Sequence, residues 1–578
     1  MGILTGHRIN FWGGTQTDVC TANNTQTVDG EDILDLVNAK VVSTDTDAQL
    51  VEMMRTPTSP GARPGGDWNY YGNHQVLFVD SKVSSQGAAG SVSIGGDLAD
   101  DAVKLLGSLD PQTGDGPYFG PVMVDLDPTS SQTTQIFVGG LQIGPDSAPK
   151  LLIRHDTVCS NQGQGMRILN GADDAPGSSV GAGTFQVFFP TSSIVSYDTS
   201  CADLVAIITD PNSDGIVLRF SMFEMAPLMT TAQQVADYEA NLNSSNPSSG
   251  SVIGTLGSHY PDEPDTTLPG RLLVNQQFGG AAYANVDETG GYLSMDMVST
   301  IPKENFRADR TDFTGPIGAN IDYGDLTVTA GGQTIGVVNP QPSDYYLYGG
   351  IVDLAVDAGQ VSTLNANAIS MAGTNGGNSI AIAETPLRIY SNDRNVYLAG
   401  SSNISCVVSY LGGALNVDTT FTIDSSSSGT IPNPNFLDFP ATINASAGAT
   451  TLSFSVSDNG SAAGFEALTV NAGNSSYFVN FRTYPVTDFG IAPGSIITWD
   501  QLYENALRFF YVVFPAMSKV FNLSDEATIR GHKFGIIKRT GDAYRDTTLY
   551  MPIVRSMTPS QVKLLNDFLN DEPWAPLS

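Results

Sequence analysis

Three groups of side chains in this sequence have the types and spacing to do chemistry. Arg154-His155-Asp156 sets an imidazole beside a carboxylate. Such a pair can serve as a general base steadied by its neighbour, or as a haem or metal ligand. Asp125-Leu126-Asp127-Pro128 puts two carboxylates at i, i+2, on one face of an extended strand, where they can hold a cation or a substrate ammonium. Asp210-Pro211-Asn212-Ser213-Asp214-Gly215 alternates oxygen ligands like the first half of a calcium loop, with Gly215 permitting the sharp turn. Ser221 falls where such a loop needs its bidentate Glu. His155, Asp125 and Asp127 are therefore candidate catalytic residues, and Asp210, Asn212 and Asp214 candidate metal ligands. Each group also has an ordinary reading: a half-exposed histidine at a strand end, a strand-to-turn transition before Pro128, and a plain turn.

Little else stands out chemically. The other histidines (His7, His74, His259, His532) are scattered, and none pairs with another at ligand spacing. The sequence holds no GxSxG, P-loop, dinucleotide fingerprint or HExxH. Gly373–Asn378 is glycine-rich, but neither a helix pattern nor a Lys-Ser/Thr pair follows it, so it reads as a turn. The four cysteines (Cys20, Cys159, Cys201, Cys406) lie far apart without a CxxC, which suits free buried thiols better than disulfides.

The elements that must position these residues are mostly strands. Sixty glycines and 32 prolines among 578 residues, with many short Ser/Thr/Asn runs, describe a mainly β chain of several domains. We expect β-sandwich or barrel modules over 1–245 and 251–415, split by the linker Asn243–Gly250. A small immunoglobulin-like sandwich is expected over 430–490, after the Ser-rich break Asp424–Gly429. Arg8–Trp12 reads as a strand ending in a Gly-Gly turn, and Leu204–Thr209 as another strand. Helices are expected around Glu31–Leu36, Asp47–Met54, Leu98–Leu106 and Ala232–Leu242. Pro57–Asp67 reads as loop.

The formal net charge is −33, which argues against nucleic acid or an anionic membrane as partner. All of it lies in residues 1–499, which carry 17 basic and 50 acidic groups. No run approaches the roughly 18 apolar residues of a membrane span. The first residues lack the basic and apolar regions of a signal peptide, so the expected location is cytoplasmic.

The last 80 residues differ in kind. From Asp500 onward nine basic and nine acidic residues balance, and apolar residues recur with helical spacing. Thr498 with Gln501, and Thr558 with Gln561, are capping boxes; Pro559 stands at a first helical position. Pro515 must stop or kink the helix before it. Ser524, with Asp525 and Glu526, begins another helix. The aromatic group Phe509, Phe510, Tyr511 and Phe514 reads as core rather than cofactor box. Residues 498–578 are therefore a helical tail closing the β-domains.

A series of short stretches, in order, resembles one family. Arg8-Ile9-Asn10-Phe11 and Ala22-Asn23 are similar to its opening. Val124-Asp125-Leu126-Asp127-Pro128 with Gln135-Ile136, Val252–Gly257 with Glu263 and Gly270-Arg271-Leu272-Leu273, and Asp344-Tyr345 with Gly350-Ile351-Val352-Asp353-Leu354 are similar to its middle. Phe514-Pro515-Ala516-Met517-Ser518, Leu523-Ser524-Asp525 and Tyr550-Met551-Pro552 with Arg555 are similar to its later part. These are the imine dimer synthases of violacein biosynthesis and the chromopyrrolate synthases of rebeccamycin and staurosporine biosynthesis. The chain departs from the family pattern at Gly349 and Ile553-Val554, where polar residues are the rule. It resembles the N-terminal half of these enzymes, without their ferritin-like helical half. The resemblance implies haem or iron and an oxidative carbon–carbon coupling, with the ferritin-like, iron-bearing half either a separate chain or lost. It places no catalytic role on a particular residue. The resulting expectation is a stand-alone scaffold or subunit of an oxidative natural-product enzyme, partnered or self-associated. The competing expectation from composition is a structural assembly protein, such as a capsid, tail or shell component.

Overall fold

The computed structural model describes residues 2–55, 68–114, 120–163, 183–227, 231–240, 248–277, 279–304, 318–340 and 345–577. The loop expected at Pro57–Asp67, most of the linker Asn243–Gly250, and Asp344 lie outside them. The fold is mainly β, with a C-terminal helical segment, as the composition implies.

The first unit is a barrel-like pair of sheets. Strands Gly183–Pro190, Gly215–Pro227, Ser248–His259, His7–Thr17, Val76–Ala88 and Ser93–Ile94 lie side by side in that order. The facing sheet runs Ile194–Tyr197, Leu151–Ser160, Thr134–Ile143 and Val103–Leu106, with Val122–Asp125 also paired to Thr134–Ile143. Bridges Lys82–Ala102 and Gln75–Val122 close one seam. The amide of Gln162 donates to the Thr184 carbonyl at the other. Inside are Phe11, Ile136, Phe185, Leu218 and Phe220 from both sheets, all essentially inaccessible.

The second unit is an eight-stranded antiparallel sheet with Leu326–Ala330, Asn378–Thr385, Arg271–Asn275 and Tyr292–Asp296 among its strands. Buried ion pairs Arg8–Asp353, Arg219–Asp296 and Lys303–Glu224 fasten it to the barrel. The third unit is a sandwich of a four-stranded and a five-stranded sheet around Ile404, Phe421, Phe454, Val479 and Phe481.

Several expectations need correcting. Glu31–Leu36 is not helical: Glu31–Asp32 pairs with Thr27–Val28 and Leu34–Asp35 with Lys40–Val41. Asp29 and Gly30 both take positive φ, which turns the chain back on itself, and Asp35 accepts hydrogen bonds from the amides of Val37 and Asn38. Leu98–Leu106 is a turn followed by the strand Val103–Leu106; Asp100 at φ 63° breaks any helix. Conversely, the stretch Leu204–Thr209 is helical, lying in the helix Ala202–Ile208 with Thr209 as its C-cap; Leu204 and Ile207 share the buried face. The pair Gly13-Gly14 is no turn: the strand continues through it to Thr17, with an irregularity against Val76–Ala88. Gly13 has to be glycine, because a Cβ there would lie 2.4 Å from the Ser81 Cα.

Sheet membership also differs from the expected divisions. Ser248–His259 pairs with His7–Thr17 and Gly215–Pro227 inside the first barrel rather than opening the second unit. The sandwich begins at Leu387, and Thr419–Ser426 is one of its strands, so the Ser-rich break lies at a strand end. Only pairing partners could reveal this, because short alternating strands look alike.

The helical tail matches its sequence signals closely. Both capping boxes form, and the helices Trp499–Leu502 and Pro559–Leu569 begin where they require. The helix stops at Val513 and Pro515 opens a 3-10 turn. The N-cap before Glu526 is Asp525 rather than Ser524. The tail packs on the long excursion between His7–Thr17 and Val76–Ala88. Tyr70 donates to the Val512 carbonyl at 2.6 Å, and Tyr503 and Arg508 both bond Asp47, at 2.6 and 2.7 Å. Ser108 and Thr548 exchange a pair of hydrogen bonds with the barrel.

Candidate functional site

The three groups that opened the sequence analysis do not come together. His155 sits half-buried on the strand Leu151–Ser160, with burial lowering its pKa and neighbouring Asp156 raising it. Asp125 ends the strand Val122–Asp125 and accepts a hydrogen bond from Thr134 Oγ1 at 2.5 Å. Asp127 lies beyond the strand and is fully buried. It accepts from the amide and hydroxyl of Thr129 and from Ser428 Oγ. Asp127 thus clamps the sandwich to the barrel, and Gly429 is needed there because a Cβ would lie 2.2 Å from Thr129 Oγ1. This carboxylate is fully engaged in structure.

Burial raises the Asp125 pKa to about 7, with the Asp127 charge adding to the effect against the Thr134 bond. The native state therefore binds this proton more tightly than the unfolded chain. The resulting stabilisation is complete below about pH 4 and is lost as pH rises to about 7. Asp125→Asn is expected to flatten stability against pH in that window, measured by urea midpoints at pH 4 to 7.

The loop Asp210–Gly215 joins the helix Ala202–Ile208 to the strand Gly215–Pro227. Asp210 accepts from the Asn212 amide at 2.9 Å and from Tyr260 Oη at 2.7 Å. Asp214 bonds His259 Nδ1 at 2.7 Å. The two carboxylates serve different partners. Among the described residues no three His, Cys, Asp or Glu side chains are grouped to hold a metal.

The structure instead assembles a site that the sequence does not announce. A cavity of about 350 Å³ opens between the tail helices and the segment Gly72–Gln75. Its wall is almost wholly apolar: Leu507, Phe510, Phe514, Met517, Ile536 and Val554 are among its residues. Two local features shape it. Tyr503–Leu507 forms a π-helical turn inside the helix that starts at Trp499, and Gln561 Nε2 bonds the Asn505 carbonyl at 2.9 Å within that turn. Phe510 and Phe514 stack at 6.2 Å along the same wall.

His74 is a buried polar residue of this wall, 3% exposed and at φ 65°. Its amide donates to the Asp18 carbonyl and its own carbonyl accepts from Met123, which pins the residue on both sides. Its Nδ1 lies 2.9 Å from the Met123 carbonyl. Burial lowers its pKa to about 4, and the Arg555 charge adds to this against the Met123 bond. The ring is neutral at pH 7. A carbonyl can only accept, so Nδ1 carries the proton and Nε2 presents a lone pair. That Nε2 is buried and has no hydrogen-bond partner.

The unfolded chain binds the His74 proton more tightly than the native state. Its share of stability is full above about pH 6.5 and is lost as pH falls to about 4. In histidine-selective NMR, one imidazole is expected to titrate near pH 4, and His74→Asn removes that resonance. Sequence reasoning counted His74 among scattered histidines; the only signal was its place in Gly-Asn-His-Gln, just before an apolar strand.

An iron centre built from carboxylates and histidines has no grouped ligands among the described residues. Among the described residues that line the cavity, His74 is the one buried imidazole.

No protein-family model matches the chain. No curated protein matches it either. Solved structures with partial likeness include a Parabacteroides merdae β-glucuronidase at 9% identity and TM-score 0.13, covering 28% of this chain and 21% of that one. An Escherichia coli α-2-macroglobulin activated by porcine elastase is 9% identical at TM-score 0.14, covering 86% and 44%. A tandem from titin is 10% identical at TM-score 0.11, covering 58% and 92%. The chain thus spans about a fifth of the glucuronidase's length. None of these likenesses carries an argument about function.

Proposed function

We propose that the chain is the β-rich part of an oxidative enzyme that couples aromatic, amino-acid-derived precursors, with its tail cavity holding an apolar molecule. One observation supports this reading. The tail stretches that resemble the imine dimer synthases, Phe514–Ser518, Leu523–Asp525 and Tyr550-Met551-Pro552, all contribute to the same cavity wall, through Phe514, Met517, Leu523 and Met551. Stretches separated by up to 40 residues converge on one concave apolar surface, which is the usual form of a small-molecule site. The β-units then act as scaffold, and the iron-bearing half belongs to a ferritin-like partner.

The test is reconstitution. Coupling of an aromatic imine is expected only when this chain and a ferritin-like iron protein are combined, and the two are expected to co-elute. A Soret band with stoichiometric iron in the purified chain alone would place the cofactor here instead. Ordered shells or tubes in electron micrographs of the purified chain would overturn the enzymatic reading in favour of an assembly protein.

A further inference from the structure

We propose that Asn459-Gly460 is a site of self-modification: the Gly460 backbone nitrogen attacks the Asn459 side-chain amide, ammonia leaves, and the resulting succinimide opens to aspartate or isoaspartate. The inference does not rest on the proposed use of the cavity.

The sequence has three Asn-Gly pairs, beginning at Asn170, Asn375 and Asn459, and the first lies outside the described residues. Glycine after asparagine leaves the next peptide nitrogen open to approach, because no Cβ stands beside it. That much is common to every such pair. The surroundings set Asn459 apart. It lies in the connection between the sandwich strands Thr451–Asp458 and Gly464–Ala472, and Asn459, Gly460 and Ser461 are all exposed. Water can enter there and ammonia can leave.

Each reacting atom has a partner suited to its part. The Gly460 amide, the nucleophile, donates to Asp458 Oδ1 at 2.8 Å. A carboxylate so placed is a general base for that proton. Asn459 Oδ1 accepts from the Ser461 amide at 2.9 Å. The ring closed by this bond contains both Asn459 Cγ and the Gly460 nitrogen, so it keeps electrophile and nucleophile close. The Ser461 amide also points at the oxygen on which negative charge grows during the attack. Asn459 Nδ2, the leaving group, donates to the Asn435 carbonyl at 3.1 Å. The backbone is pinned as well, because the amides of Asp458 and Asn459 donate to the carbonyls of Gly400 and Phe436 at 2.7 and 2.8 Å.

The reaction needs no co-reactant but water. Asp458 takes the Gly460 amide proton as the bond from nitrogen to Cγ forms. The Cγ–Nδ2 bond then breaks, and Asp458 returns the proton to Nδ2, which departs as ammonia. Water adds to one of the two ring carbonyls, that carbon's bond to nitrogen breaks, and the nitrogen regains its proton. The new carboxylate replaces the donor that faced the Asn435 carbonyl with an acceptor, so that contact is lost.

Asn375 is a control within the same chain. It ends the hairpin strand Ile369–Asn375, and its Nδ2 donates to Asp322 Oδ2 at 2.8 Å. That charge-assisted bond holds the side chain on a different segment. The purified full chain is incubated near neutral pH, and peptide mapping by mass spectrometry follows amide loss at each site. Methyl transfer by an isoaspartate methyltransferase marks the isoaspartate. In the folded chain Asn459 is expected to convert at least about tenfold faster than Asn375, from the base and the oxyanion donor. In urea the two rates are expected to converge. Asp458→Ala is expected to slow Asn459 about tenfold in the folded chain, with folding checked by circular dichroism, and to leave Asn375 unchanged. Equal rates at the two sites of the folded wild-type chain would overturn the inference, and that comparison needs no variant. A ratio that persists in urea would assign the difference to local sequence and overturn it too. An unchanged Asn459 rate in folded Asp458→Ala would remove the base and with it the proposed reaction.

Discussion

Glu384→Ala is expected to destabilise the protein by about 3–5 kcal/mol, the usual consequence of removing one partner of a buried ion pair. Arg271 and Glu384 lie on adjacent strands of the second sheet, with side chains 3% and 1% exposed. Arg271 Nε donates to Glu384 Oε1 at 2.7 Å, and a second guanidinium nitrogen bonds Oε2. The guanidinium also donates to the carbonyls of Leu364 and Asn367, each at 2.6 Å. Glu384 in turn receives the Ile369 amide at 2.7 Å. Removing the carboxylate leaves a guanidinium with no counter-charge in a place water does not reach. The Arg530–Glu526 pair is the contrast, because both side chains are over a third exposed. Glu526→Ala is expected to cost no more than about 0.5 kcal/mol. Urea denaturation of both variants measures the difference; equal midpoints would mean that the Arg271 pair is not sealed from water.

Trp574→Ala is the second large effect, about 3–5 kcal/mol for an aromatic removed from a core. Trp574 is 1% exposed and packs 5.7 Å from the ring of Phe489. Its amide donates to the Ser495 carbonyl at 2.9 Å, and its carbonyl accepts from the Gly494 amide at 2.8 Å. It therefore ties the last residues of the chain to the segment that leads into Trp499–Leu502. Trp574 belongs to the same core cluster as Phe510, Phe514 and Leu565, which also wall the cavity. Hydrogen exchange should show amides of Pro559–Leu569 losing protection in this variant. Leu577→Ala, at a residue 37% exposed, should leave them unchanged. Unaltered exchange in Trp574→Ala would mean that the tail helix holds without this anchor.

The tail was legible because its signals are local. A capping box needs only residues three apart, and a proline stops a helix wherever it stands. Thr498, Thr558 and Pro515 therefore marked their boundaries without help from the rest of the chain. What the tail does was not local. Its apolar stripes fit a docking surface as well as a lid, and the structure buries most of them against Cys20–Val41 and Trp68–Tyr71. Phe534 and Val520 remain outside, at 85% and 68% exposure. The expected helices at Glu31–Leu36 and Leu98–Leu106 failed for a related reason. Their apolar residues permit either period, and positive φ at Asp29 and Asp100 decides against helix.

The candidate site was the least legible part. Asp125, Asp127, Asp210, Asp214 and His155 were chosen because spacing within a few residues can be read directly. The structure uses Asp127 as a clamp and Asp214 as the partner of His259. His74 had no neighbour in sequence to mark it. Its environment comes from Met123, some 49 residues later, and from tail residues more than 400 positions away.

By itself the sequence determined a mainly β chain, an acidic body, a neutral helical tail and the points where that tail's helices start and stop. Those follow from composition, charge and interactions between residues a few positions apart. Only the tertiary structure decided which strands share a sheet, and which buried charges face one another. It alone set His74, with a bare nitrogen, in the wall of an apolar cavity. Those outcomes depend on pairings between distant segments, and burial and pKa are properties of what surrounds a side chain rather than of its neighbours in the chain.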